Sequence, residues 1–211
     1  MTICGFHVIS PQRAIVWADT EIYKDGEAVG HVCKLAIGPL TGFAGTGTGS
    51  LGMIEAAGAV VSNAPSMRSA LTALYATLAA QREDAGASAR SLPDWWAYAL
   101  VGFDPRFGRI VGQVLESQAD FAPRPTVAWC VPEIAEPPAR VVDDHSALAF
   151  ATTQLIALRE RMPGATGGGT LVLAELDGAR ITVRPAFDLA TGRRPAREPA
   201  PEIAAPRGGA A

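Results

Sequence analysis

The chain has 211 residues, of which 48% are hydrophobic, and a formal net charge of −3. A chain of this length buries about two-thirds of its unfolded surface, which favours one domain and excludes wholesale disorder. The 18 basic and 21 acidic side chains nearly cancel. This balance argues against nucleic acid as the primary partner, and no apolar stretch is long enough to indicate a membrane span.

The three cysteines, Cys4, Cys33 and Cys130, cannot all pair with one another, and no Cys-x-x-Cys spacing accompanies them. They are predicted to be reduced, and no metal or other cofactor is predicted. The first residues also lack the basic region and apolar run of a secretion signal. The sequence therefore predicts a cytoplasmic protein.

Short β-branched and aromatic runs predict that the chain begins with a hairpin over residues 2–8 and 14–18, followed by a strand pair over 32–37 and 40–44. Apolar residues at helical spacing then predict a first helix over 48–61. A second helix is predicted to start at the cap residue Ser66. Four strands thus precede any helix.

The second half of the chain is predicted to return to strands. These cover residues 95–103, 109–115 and 126–131, a helix follows from Asp144 to Met162, and a last hairpin covers 171–176 and 181–183. Residues 1–187 are expected to form one domain, and the proline-rich segment 188–211 to be a disordered tail. The element order predicts α+β sheet layers flanked by helices.

Residues Gly47 to Gly52 fit the pattern G-x-G-x-x-G between a strand and a helix, which is the context of a dinucleotide site. Such a site also needs a second parallel strand that ends in an acidic residue, and the following region is predicted as helix. We therefore interpret the glycines as a strand-to-helix turn. Asp143-Asp144-His145 is interpreted as a helix start, and His7 and His31 as isolated core or surface histidines.

Thr2 directly follows the initiator methionine. A small residue at this position lets an aminopeptidase remove Met1, which would expose a new α-amine on Thr2. An α-amine has a pKa of about 7.7–8.0, so it can accept the hydroxyl proton near neutral pH. Position alone does not separate Thr2 from the second residue of any other protein with this start.

Four features follow one another in chain order: a strand that begins at Thr2, Asp19 at the end of the next strand, Lys34 on a third, and the run Gly-Phe-Ala-Gly ending at Gly45. The pattern, with its Thr2-to-Lys34 interval, resembles the proteasome β-subunit family. It is particularly similar to the bacterial HslV peptidase and related bacterial proteasome-like proteins. The motifs cover residues 2–62, and the closing hairpin agrees more loosely.

The resemblance implies an N-terminal-nucleophile hydrolase, built as a four-layer αββα sandwich of two antiparallel sheets flanked by helices. It implies a threonine-type peptidase in which Thr2 attacks the carbonyl and Lys34 favours the unprotonated amine. Asp19 would hold Lys34, and Gly45 would offer its backbone N–H to the oxyanion. It also implies a polypeptide substrate, a homo-oligomeric ring and a partner ATPase that unfolds substrates.

Two supporting motifs of that family are missing from the sequence. Residues 163–168 read Pro-Gly-Ala-Thr-Gly-Gly where the family has Asp-x-x-Ser-Gly-Gly, and no Gly-Ser-Gly-Gly run occurs around 129–132. Glu21 also stands where many relatives carry arginine. These departures favour an alternative hypothesis, a catalytically inactive protein of this fold with a structural or assembly role.

Overall fold

Strands account for more residues than helices in the computed structural model, which describes residues 2–24, 27–38, 42–88, 96–134, 140–161 and 169–194. The strands of these segments are β1 (Cys4–Ser10), β2 (Arg13–Ala18), β3 (Glu21–Lys24), β4 (Glu27–His31), β5 (Ala36–Ile37), β6 (Phe43–Thr48), β7 (Ala97–Asp104), β8 (Arg109–Glu116), β9 (Arg124–Pro125), β10 (Ala128–Val131), β11 (Thr170–Asp177) and β12 (Arg180–Asp188). The helices are α1 (Leu51–Asn63), α2 (Met67–Ser88) and α3 (Asp144–Arg161).

Five antiparallel strands form the β1 sheet, in the order β10-β1-β2-β11-β12. The β1–β2 hairpin sets Cys4 opposite Ala18, and β11 pairs with the other side of β2 so that Val172 also lies opposite Ala18. The start of β1, the end of β2 and the start of β11 therefore meet at one end of this sheet. That end carries Thr2 and Asp19.

A second antiparallel sheet, the β6 sheet, has the order β5-β6-β7-β8-β9. Its edge strand β5 is two residues long and sets Ala36 opposite Gly45. Strands β3 and β4 form a separate two-stranded sheet in which Glu21 lies opposite His31. This hairpin connects the end of β2 to the segment that carries Lys34.

Three apolar clusters hold these elements together, because alternate side chains of a strand point to opposite faces of its sheet. Side chains of the β1 and β6 sheets, such as Phe6 and Val101, form one cluster. Helices α1 and α2 pack on the β6 sheet, with Met53 fully buried, and α3 packs on the β1 sheet around Trp17. Burial of one such large side chain stabilises the fold by about 1.5–3 kcal/mol.

The predicted fold class is wrong. The resemblance implied a four-layer αββα sandwich of two antiparallel sheets flanked by helices, whereas the described residues form three antiparallel sheets from twelve strands and have only three α-helices. No strand was predicted between residues 18 and 32, where β3 and β4 form, and β9 adds an unpredicted edge strand. Strands without an apolar alternation escape a search that relies on apolar periodicity.

Most of the individual elements are confirmed, with shifted ends. The first hairpin, the three helices, the β7–β8 pair and the last hairpin all form. The strand predicted over 32–37 shortens to β5, and residues 40 and 41 of its predicted partner lie outside the described residues. Residues 195–211 also lie outside them, so the division into a domain and a tail stays a prediction.

Candidate active site

Lys34 and Asp19 form a buried ion pair at the end of the β1 sheet where β1 and β11 start and β2 ends. The Lys34 ammonium donates to Asp19 Oδ1 at 2.7 Å and to the Glu21 carbonyl oxygen at 2.5 Å. The two side chains are only 4% and 1% exposed. Because the β3–β4 hairpin folds back after Asp19, it returns the chain to this carboxylate at Lys34. The structure thus brings together two residues that the sequence separates.

Asp19 also ties this ion pair to the backbone directly after Thr2. Its Oδ1 accepts from the Ile3 amide at 3.1 Å, and its own amide donates to the Ile3 carbonyl oxygen at 2.8 Å. One oxygen atom therefore bridges the Lys34 ammonium and the Ile3 amide. Thr2 lies beside this bridge and is only 3% exposed. Three of the four predicted site residues consequently share one buried location.

Burial and charge act against each other in this cluster. Burial raises the pKa of the Asp19 carboxyl, while the Lys34 ammonium and the Ile3 amide act to lower it. Cys4 lies two residues after Thr2, and burial, followed by the nearby Asp19 charge, raises the pKa of its thiol. The Cys4 thiol therefore keeps its proton, and the Lys34 ammonium that contacts Asp19 offsets the carboxylate charge.

Gly45, the fourth predicted residue, lies on β6 next to the segment of Lys34. The amide of Gly38 donates to the Phe43 carbonyl oxygen at 2.9 Å, so these two residues form a hydrogen-bonded pair. In an antiparallel ladder such pairs recur at every second residue. The Ala36–Gly45 pair is therefore hydrogen-bonded too, which engages the Gly45 amide with β5. The amide of Gly47 faces the same edge, beyond Ala36, the first residue of β5.

Residues that the sequence analysis missed anchor the Asp19 segment to its neighbours. The Thr20 hydroxyl accepts from the Thr170 amide at 3.0 Å and lies 3.4 Å from His31 Nδ1. Gly169 has a φ of +75°, and a Cβ there would lie 2.8 Å from Thr20 Oγ1. A glycine before a predicted strand was the available signal, but its partners lie far away in sequence.

The motifs that we interpreted as structural have structural partners. Ser50 caps α1 by accepting from the Met53 amide, which makes the G-x-G-x-x-G run a strand-to-helix turn. Asp143 caps α3 through the Ser146 amide at 2.8 Å. His7 is buried, and its Nδ1 accepts from the Val141 amide at 2.7 Å. Burial and the nearby Arg140 lower the pKa of His7.

Comparisons with known proteins give a shared fold without a matching family. No family model matches the chain, and no curated protein matches it. Among solved structures, a mutant of Anbu from Hyphomicrobium sp. strain MC1 matches with a TM-score of 0.63 and 12% sequence identity, over 88% of each chain. The chain therefore has the fold of Anbu. At this sequence identity the comparison shows the fold alone and confirms no specific function.

The predicted membership in the proteasome β-subunit and HslV family is corrected by these findings. The motifs around Thr2, Asp19 and Lys34 matched that family in order. No family model matches the chain, however, so this short pattern of single residues does not establish membership. The comparisons support a fold shared with Anbu.

No helix within the described segments is long and apolar enough to cross a membrane.

Proposed function

We propose that this protein is a threonine-type amidohydrolase, acting on peptides, which uses Thr2 as its nucleophile once Met1 has been removed. The observation that carries the proposal is the buried Lys34–Asp19 pair, linked through one carboxylate oxygen to the Ile3 amide beside Thr2. A desolvated ammonium held next to the first strand is costly to bury. A catalytic use for its charge accounts for its place in the fold.

In the proposed reaction, Thr2 Oγ attacks the carbonyl carbon of the amide bond, and its proton passes to the free α-amine of the same residue. The C–N bond then breaks, and the departing amine takes up that proton. The acyl group stays on Thr2 as an ester until water hydrolyses it. Lys34 favours the neutral amine by its positive charge, and Asp19 fixes Lys34 in place.

Backbone amides of β6 are proposed to stabilise the oxyanion. The predicted donor was Gly45, but its amide faces the β5 ladder. Gly47 presents its amide on the same edge beyond the Ala36–Gly45 pair, where β5 offers no partner, so we propose Gly47 as the donor in place of Gly45. Removal of one such donor typically lowers kcat by about 10²–10³-fold. A polypeptide substrate, ring assembly, a partner ATPase and a cytoplasmic location stay predictions.

The test begins with the intact mass of the purified protein, which must correspond to a chain starting at Thr2. Processed protein should hydrolyse fluorogenic peptides and form an adduct with a β-lactone or epoxyketone probe that peptide mapping places on Thr2. Thr2→Ala should lower the rate by about 10³-fold or more, and Thr2→Ser should retain part of it. Thr72→Ala, at an exposed position of α2, serves as the matched control.

Two results would remove the proposal. One is retention of Met1, because the α-amine of Thr2 then stays in a peptide bond and cannot accept a proton. The other is a processed protein that leaves both probes unreacted while Thr2→Ala changes no hydrolysis rate. Either result would favour the alternative that the sequence raised, an inactive structural or assembly protein.

A further inference from the structure

A cavity of about 400 Å³ lies along β10, the outer strand of the β1 sheet. Its volume is in the range of small-ligand sites in proteins. Among the described residues, its lining includes none of Thr2, Asp19 and Lys34. The cavity is therefore separate from the candidate active site and independent of the proposed function.

The cavity curves around β10, because residues from both faces of the sheet line it. His7 lies directly opposite Ala128 in the β1–β10 ladder, so these two side chains share a face of the sheet. Trp129, the next residue of β10, projects to the other face. There the cavity is also lined by Glu116 at the end of β8 and by Arg124 of β9.

His7 presents a hydrogen-bond donor to this cavity. Its Nδ1 accepts from the Val141 amide at 2.7 Å, so this nitrogen carries no proton. Burial and the nearby Arg140 lower the pKa of the imidazole, which leaves a neutral ring with its one proton on Nε2. The ring is held in place by edge contacts with Trp17 and Phe150. Among the described residues, the one hydrogen bond of the ring is that of Nδ1, so the Nε2 proton is left for an acceptor in the cavity.

The charged residues of the described lining carry one positive and two negative charges. Arg124 is the cation, and its guanidinium lies 3.1 Å from a carboxylate oxygen of Glu116. Glu133 is the second acidic residue. Burial raises the pKa of the Cys130 thiol, so this lining residue adds no charge. The excess of carboxylate repels an anion and offers acceptors to N–H groups of a ligand.

Aromatic and aliphatic side chains form the apolar part of the walls, namely Trp129, Ile134 and Phe150. Ligand sites commonly combine such walls with a few polar groups that orient the ligand. The apolar walls here favour a flat ring, because aromatic side chains pack well against one. The His7 donor requires a carbonyl oxygen on that ring, and the acidic residues favour N–H groups beside it.

We propose that this cavity binds an uncharged carboxamide carried on an aromatic ring. Its carbonyl oxygen accepts from Nε2 of His7, and its amide nitrogen donates to the acidic side of the cavity. An aromatic carboxylate of the same shape is repelled by the excess negative charge. An aromatic amidine has the N–H groups but no acceptor for the Nε2 proton.

The test uses three probes with one shape, benzamide, benzoate and benzamidine, which are neutral, negative and positive at pH 7. The chain has three histidines, His7, His31 and His145, so a long-range ¹H–¹⁵N spectrum of the ¹⁵N-labelled full chain contains three ring patterns. Benzamide should shift the His7 pattern and leave the other two in place. It should bind about tenfold more tightly than either charged probe, the equivalent of one hydrogen bond.

Two variants place the binding in the cavity. His7→Asn removes Nε2 and keeps a side-chain oxygen that can accept from the Val141 amide in place of Nδ1. It should weaken benzamide binding about tenfold, followed through the backbone amide of Ala128. The matched control is His145→Asn, at an exposed position of α3, which should change nothing. Ala128→Phe fills the cavity from an exposed position and should abolish binding, which decides the matter if His7→Asn does not fold.

Three results would overturn the assignment. The first is the absence of any shift of the His7 pattern up to the solubility limit of benzamide. The second is binding of benzoate or benzamidine as tight as that of benzamide, because the ligand class is then wrong. The third is benzamide binding that a folded His7→Asn or Ala128→Phe variant leaves unchanged, because the probe then binds elsewhere.

Discussion

Replacing Lys34 by methionine should destabilise the protein strongly, because it leaves a buried carboxylate without its cation. The Lys34 and Asp19 side chains are 4% and 1% exposed, and their charged atoms lie 2.7 Å apart. Removal of one partner from such a buried pair costs about 3–5 kcal/mol. We expect Lys34→Met to lose stability in this range at pH 7, measured by urea denaturation with an unchanged m-value.

The pH dependence of this loss is a sharper test than its size. Burial already raises the pKa of Asp19, and Lys34 opposes that shift. Without Lys34, the folded-state pKa rises further above the unfolded value of about 4. A carboxyl shifted in this direction stabilises the fold most at low pH and loses that contribution as the pH rises through its folded pKa. The defect of Lys34→Met should therefore shrink as the pH is lowered from neutrality.

An exposed ion pair of nearly the same length provides the control. Arg106 lies 2.6 Å from Asp104, but its side chain is 57% exposed. Arg106→Met should therefore change stability little. In Lys34→Met/Asp19→Asn the two losses should not add, because neutralising Asp19 removes the unpaired charge. A Lys34→Met defect no larger than that of Arg106→Met, or one that acid does not relieve, would refute the buried-pair reasoning.

Three further substitutions test contacts within and around the β1 sheet. Gln154→Leu should cost about 3 kcal/mol in denaturation experiments, since this buried amide accepts from Trp17 Nε1 at 2.8 Å and donates to two backbone carbonyls of the β1 sheet. Gly169→Ala should cost about 1–3 kcal/mol, because φ at this position is +75° and a Cβ would contact Thr20 Oγ1. The control is Gly108→Ala, where φ is +59° and no atom lies within 4 Å of a Cβ. Equal melting temperatures for the two variants would show that the Thr20 contact contributes nothing. The Arg184 guanidinium holds the pKa of Asp144 below its usual value, so Asp144→Asn should cost about 1 kcal/mol at neutral pH, and the deficit should vanish as acid protonates the wild-type carboxyl.

Local patterns predicted the elements better than their assembly. The run from Cys4 to Ala18 has two β-branched segments around a proline turn, and it forms the expected hairpin. The β3–β4 hairpin was missed because its strands lack an apolar alternation. The four-layer fold class was wrong because it was inferred from a resemblance in a few single residues. Such residues do not determine which strands pair, and strand pairing sets the number of sheets.

At the candidate site, too, the residues were predicted but their contacts were not. Thr2, Asp19 and Lys34 were named from residue type and order, and the structure places all three at one end of the β1 sheet. Their roles stay predictions. The packing of the Tyr98 ring over Gly45 and Gly47 was not predicted either, because these glycines of β6 lie more than fifty positions earlier in the sequence.

Most strands and helices were predictable from the sequence, because their formation depends on neighbours within a few positions, and Thr2, Asp19 and Lys34 were named by residue type and order. Three contacts were not predictable: the donation from Lys34 to Asp19, the donation from the Ile3 amide to the same carboxylate oxygen, and the aromatic ring over Gly45. These contacts join distant segments, and a buried charge or donor acquires its energetic meaning only from the atoms that surround it.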